Sequence, residues 1–239
     1  MTYLAAAIQM NAGPDKPANL ERAERLVRVG AARGANLVAL PEVFYWRGKR
    51  NDQAAATESR CYNTSVLLGP DAGRIAVYRK IHLFDVDLPG RVTVRESDTK
   101  IAGDDVVTAK TSLGTIGLTI CYDLRFPELY RRLTFAGAQI IAIPSAFTFP
   151  TGEAHWEPLL RARAIENQAY VIAPAQFGPN VYGYSDYGNS MIVDPWGRVL
   201  ARAADQEGVV VAPIDLEYQD RVRRELPALK HARLQSDRA

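Results

Sequence analysis

Residues 3–9 form a short apolar run, followed by a turn-like stretch at 11–15 and then by Leu20, Ala23, Leu26 and Val27 at helical spacing. Pro17 suits a first helical turn and Gly34 a helix end, and residues 36–40 are again apolar and short enough for a buried parallel strand. The chain is therefore expected to open with a βαβ unit. From Thr64 the pattern changes: residues 64–68 and 74–79 flank a turn at 69–73, which predicts a hairpin, and 106–110 with 115–120 repeat the arrangement. A helix is expected from about 126 to 135, with Pro127 early, Gly137 late and Leu129, Leu133 and Ala136 on one stripe. Residues 139–143 form the strand to which it returns. A second helix over about 157–167 leads to strands at 170–173, 190–193, 198–201 and 209–214, and a charged helix is expected over 216–226. There is no internal repeat, low-complexity linker or domain boundary, so the pattern predicts a single α/β domain over 1–239 with mixed sheets covered by helices.

Composition narrows the function classes. The chain has 239 residues, of which 47% are apolar, with 29 Lys and Arg against 27 Asp and Glu and a formal charge of +2. The charges are scattered, so there is no electrostatic case for nucleic acid or an anionic membrane, and small-molecule partners are favoured. Two cysteines, Cys61 and Cys121, do not make a disulfide framework. No stretch approaches the apolar length needed to span a bilayer, and the N-terminus lacks a basic leader and cleavage pattern. These features read as a soluble, unprocessed, cytoplasmic enzyme.

Three polar residues stand directly after apolar runs: Glu42, Lys80 and Cys121. Strand ends hold a side chain on a rigid element while letting it reach a crevice, so a carboxylate, an ammonium and a thiol are expected to meet in one pocket. That trio suffices for acyl transfer. Glu42 would take the thiol proton and return it to the departing amine, Cys121 would carry the acyl group, and Lys80 with the Tyr122 backbone N–H would stabilise the oxyanion. Taken singly, each residue is more often a buried thiol, a loop carboxylate or a snorkelling lysine; the combination carries the case. Cys61 reads as structural. Nothing among His82, His155 and His231 has metal-ligand spacing, so no metal and no cofactor are expected. A Cys121–His155 dyad is a weaker alternative because it leaves Glu42 and Lys80 idle. His155, beside Trp156, is expected in the site wall.

With these residues in hand, the chain resembles the nitrilase superfamily of carbon–nitrogen hydrolases. The resemblance rests on Leu40-Pro41-Glu42, Tyr78-Arg79-Lys80-Ile81-His82-Leu83-Phe84-Asp85 and Ile120-Cys121-Tyr122-Asp123-Leu124-Arg125-Phe126-Pro127-Glu128, and it continues through Pro144-Ser145-Ala146-Phe147 to Asp194-Pro195-Trp196-Gly197. It implies an α-β-β-α sandwich, a homodimer with residues 216–239 in the contact, and the roles given above for Glu42, Lys80 and Cys121. It also implies that Glu96 is a second glutamate positioning the lysine and substrate. Two departures stand out. After Glu58 relatives carry a further helix and strand, so this chain is shortened near 50–60 and an exposed sheet edge is expected. Asn189 stands where relatives often have histidine. Within the superfamily the likeness points to the branch containing omega-amidase and deaminated glutathione amidase, hence to hydrolysis of a small linear amide. N-carbamoyl hydrolysis, nitrile hydrolysis and an inactive binding or scaffold protein are the alternatives. A half-amide substrate carries a free carboxylate, for which Arg125 is the first candidate and Arg163 the second, with Tyr182, Tyr184 and Tyr187 at the pocket mouth.

Overall fold

The computed structural model describes residues 1–48, 60–90 and 92–234. Strand Thr2–Met10 is the spine of the first sheet. It pairs antiparallel with Gly208–Asp215 along its whole length and parallel with Ala35–Ala39 near its start. At its end it pairs parallel with Ala175–Pro179, which in turn pairs antiparallel with Ser185–Tyr187. Both faces of the spine are buried: Tyr3, Ala5 and Ala7 enter the core between the sheets, while Ala6, Ile8 and Met10 pack with Ala23 and Leu26 of helix Lys16–Ala32. This is why the segment reads as continuously apolar rather than alternating. The helix begins where the Asp15 carboxylate accepts from the Ala18 N–H at 3.1 Å. The βαβ unit forms as expected.

The second sheet runs Val199–Arg202, Met191–Val193, Tyr170–Ala173, Ile140–Ala142, Gly114–Leu118, Thr108–Thr111. Helices Pro127–Phe135 and Phe149–Asn167 bury Leu129, Tyr130, Leu133, Trp156, Leu160 and Ala164 in the same core as its strands. The layers are thus helix, sheet, sheet, helix, the expected α-β-β-α sandwich. Helix Leu216–Glu225 closes the end of the sandwich: Gln219 and Arg223 donate to the carbonyls of Gln168, and to those of Gln139 and Ala138 respectively.

The structure corrects several boundaries. Helix Phe149–Asn167 starts well before residue 157, because Gly152 and Pro158 weaken the helical pattern of a segment that tertiary packing nevertheless winds. Gly152 is required there, since a Cβ would run into the Tyr187 ring. Asp85–Leu88 and Val92–Arg95 form an antiparallel hairpin that alternating charges conceal, followed by the short 3-10 helix Glu96–Asp98. Cys61–Tyr62 pairs parallel with Lys100–Ile101.

The shortened region near 50–60 falls largely outside the described residues, but its surroundings are visible. Strand Ala35–Ala39 pairs only with Thr2–Met10 among the described residues. The hairpin Thr64–Leu68 and Arg74–Arg79 stands as its own two-stranded ladder. It turns Leu67, Ala76 and Tyr78 inward, while Val66 and Leu68 remain 48% and 57% exposed.

Candidate active site

Three strand ends converge on one cleft of about 470 Å³, whose lining includes Glu42, Lys80, Glu96 and Cys121. Glu42 follows strand Ala35–Ala39, and its carbonyl accepts from Gln176 Nε2 at 2.8 Å. Lys80 follows strand Arg74–Arg79 and is only 2% exposed; its backbone N–H donates to Asn63 and its carbonyl accepts from Gly103. Cys121 opens the 3-10 turn Cys121–Arg125 beyond strand Gly114–Leu118. Its φ of 47° lies in the left-handed region, an unfavourable position for a non-glycine residue that reverses the chain and aims the thiol into the cleft. The N–H of Cys121 donates to the Pro144 carbonyl at 2.9 Å, tying the turn to the neighbouring strand end.

The charged groups are locked together. Lys80 Nζ donates to Glu42 Oε1 at 3.0 Å and to Glu96 Oε2 at 2.8 Å. Asn63 Nδ2 bridges the same two carboxylates, at 2.7 Å from Glu42 and 3.1 Å from Glu96, and the Phe84 N–H donates to Glu96 at 2.7 Å. Burial on its own would depress the Lys80 ammonium, but the charges of Glu42, Cys121 and Glu96 outweigh it and hold the group charged above the ordinary lysine range. Burial likewise opposes ionisation of Glu96, and the Lys80 charge with three hydrogen bonds overcomes it, so this carboxyl stays below its usual value. The thiol behaves differently. Burial lifts Cys121 well above its ordinary value and Glu42 pushes the same way, while Lys80 and the Ala146 N–H pull down. Two carboxylates against one ammonium leave the resting site with an excess negative charge that disfavours a thiolate.

Asp123 fixes these parts relative to one another. Its fully buried carboxylate accepts from Tyr78 OH at 2.7 Å, from the Ile120 N–H at 2.8 Å and from the His82 N–H at 3.1 Å. It therefore grips the chain on both sides of Lys80 and just before Cys121. Arg163 supports the same turn from below, donating to the Leu124 carbonyl from Nε at 3.0 Å and from Nη2 at 2.7 Å.

The cleft thus contains Glu42, Lys80, Glu96 and Cys121, and its lining does not include Tyr122, Arg125, His155 or Arg163. The Tyr122 ring packs edge-on against Phe84 and Phe126. Arg125 lies 3.2 Å from the exposed His155 ring, so His155 belongs to the outer surface rather than the site wall and forms no dyad with Cys121. Arg163 is likewise spent on Leu124 and Glu166. Tyr182 and Tyr184 line the cleft, whereas Tyr187 packs on Phe149. Sequence reasoning missed Asn63, Asp123 and the cleft-lining Arg95 and Lys100; only Asp123 stood in a block that drew attention. Among the described residues no cluster of His, Cys, Asp and Glu is arranged to hold a metal, and no helix is long and apolar enough to cross a membrane.

The mixed α/β fold and the family it matches make the protein a hydrolase acting on carbon–nitrogen bonds. The carbon–nitrogen hydrolase family profile matches residues 4–59 and 48–224, and the chain belongs to that family. It is 40% identical over 265 residues to a deaminated glutathione amidase from Synechocystis sp., covering 96% of this chain and 97% of that one. Against the mouse omega-amidase NIT2 the identity is 38% over 263 residues, covering 97% and 95%. The aligned lengths exceed the 239 residues present, and the two profile matches overlap at 48–59, where the sequence reads as shortened. Among solved structures, the C. elegans NitFhit protein superposes with a TM-score of 0.90 at 36% identity, covering 97% of this chain and 65% of that longer one. Saccharomyces cerevisiae Nit3, a member of branch 10 of the nitrilase superfamily, gives 0.85 at 30% identity, covering 98% and 97%.

Proposed function

We propose that the protein is an amidase that hydrolyses a small linear amide to a carboxylic acid and ammonia through a thioester on Cys121. The observation that carries this reading is the buried contact of Lys80 with Glu42 and Glu96 in the cleft that Cys121 enters. Because the resting thiol is held protonated, attack is coupled to proton transfer: Glu42 accepts the proton as the sulfur bonds to the carbonyl carbon, which keeps the net charge of the site constant. The carbonyl oxygen becomes an oxyanion beside the Lys80 ammonium and the Tyr122 N–H. Collapse breaks the carbon–nitrogen bond, and the nitrogen leaves as ammonia with the proton from Glu42. Water, deprotonated by Glu42, then attacks the thioester, and the acid leaves as the thiol regains its proton. Glu96 holds Lys80 in place and in its charged state throughout.

The name of one set of relatives suggests deaminated glutathione as substrate, and the family resemblance adds an omega-amide of a 2-oxo acid. Ammonia release from each, compared with carbon dioxide release from an N-carbamoyl compound and hydrolysis of a nitrile, tests the assignment. Loss of turnover in Cys121→Ala is expected. No turnover of any amide by the wild-type protein would leave the scaffold reading in its place. We further read the chain as a cytoplasmic homodimer. Ile165 beside the Gly197 turn, with Trp196, gives an apolar surface 49% and 50% exposed that supports the dimer. Sedimentation at micromolar concentration checks the dimer.

A further inference from the structure

The charges lining the cleft divide into two groups. At the floor, Glu42, Glu96 and Lys80 neutralise one another incompletely and leave a negative excess beside Cys121. Arg47 also lines the cleft, but its guanidinium is bidentate to the buried Asp186 and so carries no spare charge. Arg95 and Lys100 are different. Both line the cleft, and neither has a carboxylate within ion-pair distance among the described residues. Asp85 is opposite Arg95 across the hairpin, but its Oδ1 accepts from the Ser97 N–H, and its charge only feels Arg95 at longer range. Lys100 Nζ is directed at the Cys61 sulfur, 3.3 Å away, a weak acceptor that leaves the ammonium charge uncompensated.

We propose that Arg95 and Lys100 form a carboxylate subsite that orients an amide substrate bearing an anionic group, placing its neutral amide end at Cys121. The inference rests on the amidase reading for its catalytic meaning and adds to it the side chains that recognise the charged end of the substrate. The physical logic is a charge gradient along the cleft. A carboxylate is repelled from the negative floor and attracted to Arg95 and Lys100, which have no carboxylate partner among the described residues, so a molecule carrying one amide and one carboxylate enters in a single orientation. The strand Val92–Arg95 and the short strand Lys100–Ile101 flank the 3-10 helix that carries Glu96, so the subsite and the group holding Lys80 belong to one continuous segment. Binding an anion there bears directly on the segment that holds the lysine.

The test has two arms. In the first, succinamate is compared with its methyl ester as amide substrate, for the wild-type protein and for Arg95→Gln, Lys100→Gln and the double variant. The ratio of kcat/KM for the acid to that for the ester is expected to exceed one in the wild type and to fall about tenfold or more in the double variant, the size of a lost charge-assisted hydrogen bond. Arg95→Lys with Lys100→Arg is expected to restore most of the ratio. A parallel loss on both substrates, or no preference in the wild type, overturns the proposal. In the second arm, binding of succinate to the Cys121→Ala protein is measured by calorimetry with and without the double substitution, and about tenfold weaker binding is expected. If the protein hydrolyses no amide but succinate binding still depends on the two cations, the subsite stands and the amidase reading falls. If binding does not depend on them, the subsite falls whatever the enzyme hydrolyses.

Discussion

The Asp123 carboxylate and the His82 imidazole are 2.8 Å apart, and His82 stacks on Phe126 with ring centroids 3.6 Å apart and planes within 6°. The same carboxylate already takes Tyr78, Ile120 and the His82 N–H. A backbone N–H faces each of its two oxygens, Ile120 at Oδ2 and His82 at Oδ1, so an amide at this position sets N–H against N–H whichever way it is turned. Asp123→Asn is therefore expected to destabilise the fold by about 1–3 kcal/mol and to lower kcat by loosening Lys80 relative to Cys121. Thermal denaturation followed beside kcat checks both; an unchanged melting temperature would remove Asp123 from this role.

Glu42 has two opposed effects on the thiol: its charge raises the pKa of Cys121, and as a base it removes the proton during attack. Glu42→Gln separates them. The neutral side chain no longer opposes ionisation while Lys80 still favours it, so the thiol titrates at lower pH than in the wild type. Alkylation by iodoacetamide, followed by mass across pH 7–10, is expected to be faster in the variant at each pH. Amide turnover is expected to fall about a hundredfold or more for want of the base. Slower alkylation in the variant would contradict this account of the thiol.

Much of this architecture was legible in the chain, and the exceptions have physical causes. Tyr170–Ala173 is buried on both faces and reads as a strand to the residue. Glu42, Lys80 and Cys121 stood out because each follows an apolar run that becomes a rigid strand. Glu96 entered only through family resemblance. It sits after a hairpin whose Asp85 and Asp87 break any apolar pattern, and nothing in its own neighbourhood distinguishes it from a surface carboxylate. Arg125 stood out by its distance along the chain from Cys121, a signal that says nothing of its partner, and its guanidinium meets His155. Asn63 had no signal at all. Its value arises from pairing Cys61–Tyr62 with Lys100–Ile101, a contact between segments far apart in the sequence.

Lys80 lies between two carboxylates, and its removal changes the pH dependence of stability in a direction that can be worked out. In the wild type Lys80 titrates above the ordinary lysine value of 10.5 and Glu96 below the ordinary glutamate value of 4.5. A raised amine stabilises the fold fully below its unfolded pKa, with the gain lost as pH rises through the folded value. A depressed carboxyl stabilises above its unfolded pKa, with the gain lost as pH falls through the folded value. Their joint contribution is therefore level from about pH 5 to 10. In Lys80→Met the two carboxylates face each other without a cation, one of them is pushed upward, and the protein is expected to gain stability as pH falls from 8 towards 5. At neutral pH the loss should reach about 3–5 kcal/mol, because an uncompensated charge stays buried. Turnover should fall about a hundredfold or more. Melting curves at pH 5, 6, 7 and 8 decide the sign, and a variant whose relative stability is flat over that range refutes the assignment of paired charges.

Gly103 tests how closely the backbone is packed behind the lysine. Its N–H donates to the Lys80 carbonyl at 2.8 Å, and a Cβ built on it runs into the Arg79 carbonyl. The obstacle is backbone rather than a flexible side chain, so it cannot swing aside; either the 102–104 stretch or the end of strand Arg74–Arg79 must shift. A shift of the strand moves Lys80 away from Glu42 and Glu96, whose contacts at 3.0 and 2.8 Å leave little latitude. Gly103→Ala is expected to destabilise the protein by about 1–3 kcal/mol and to lower kcat more than it raises KM, since Lys80 meets the oxyanion only as the bond forms. Gly13→Ala is the matched control, because a Cβ there finds nothing within 4 Å, and it should change melting temperature and kcat little. Equal effects of the two substitutions would show that close packing behind Lys80 does not set its position.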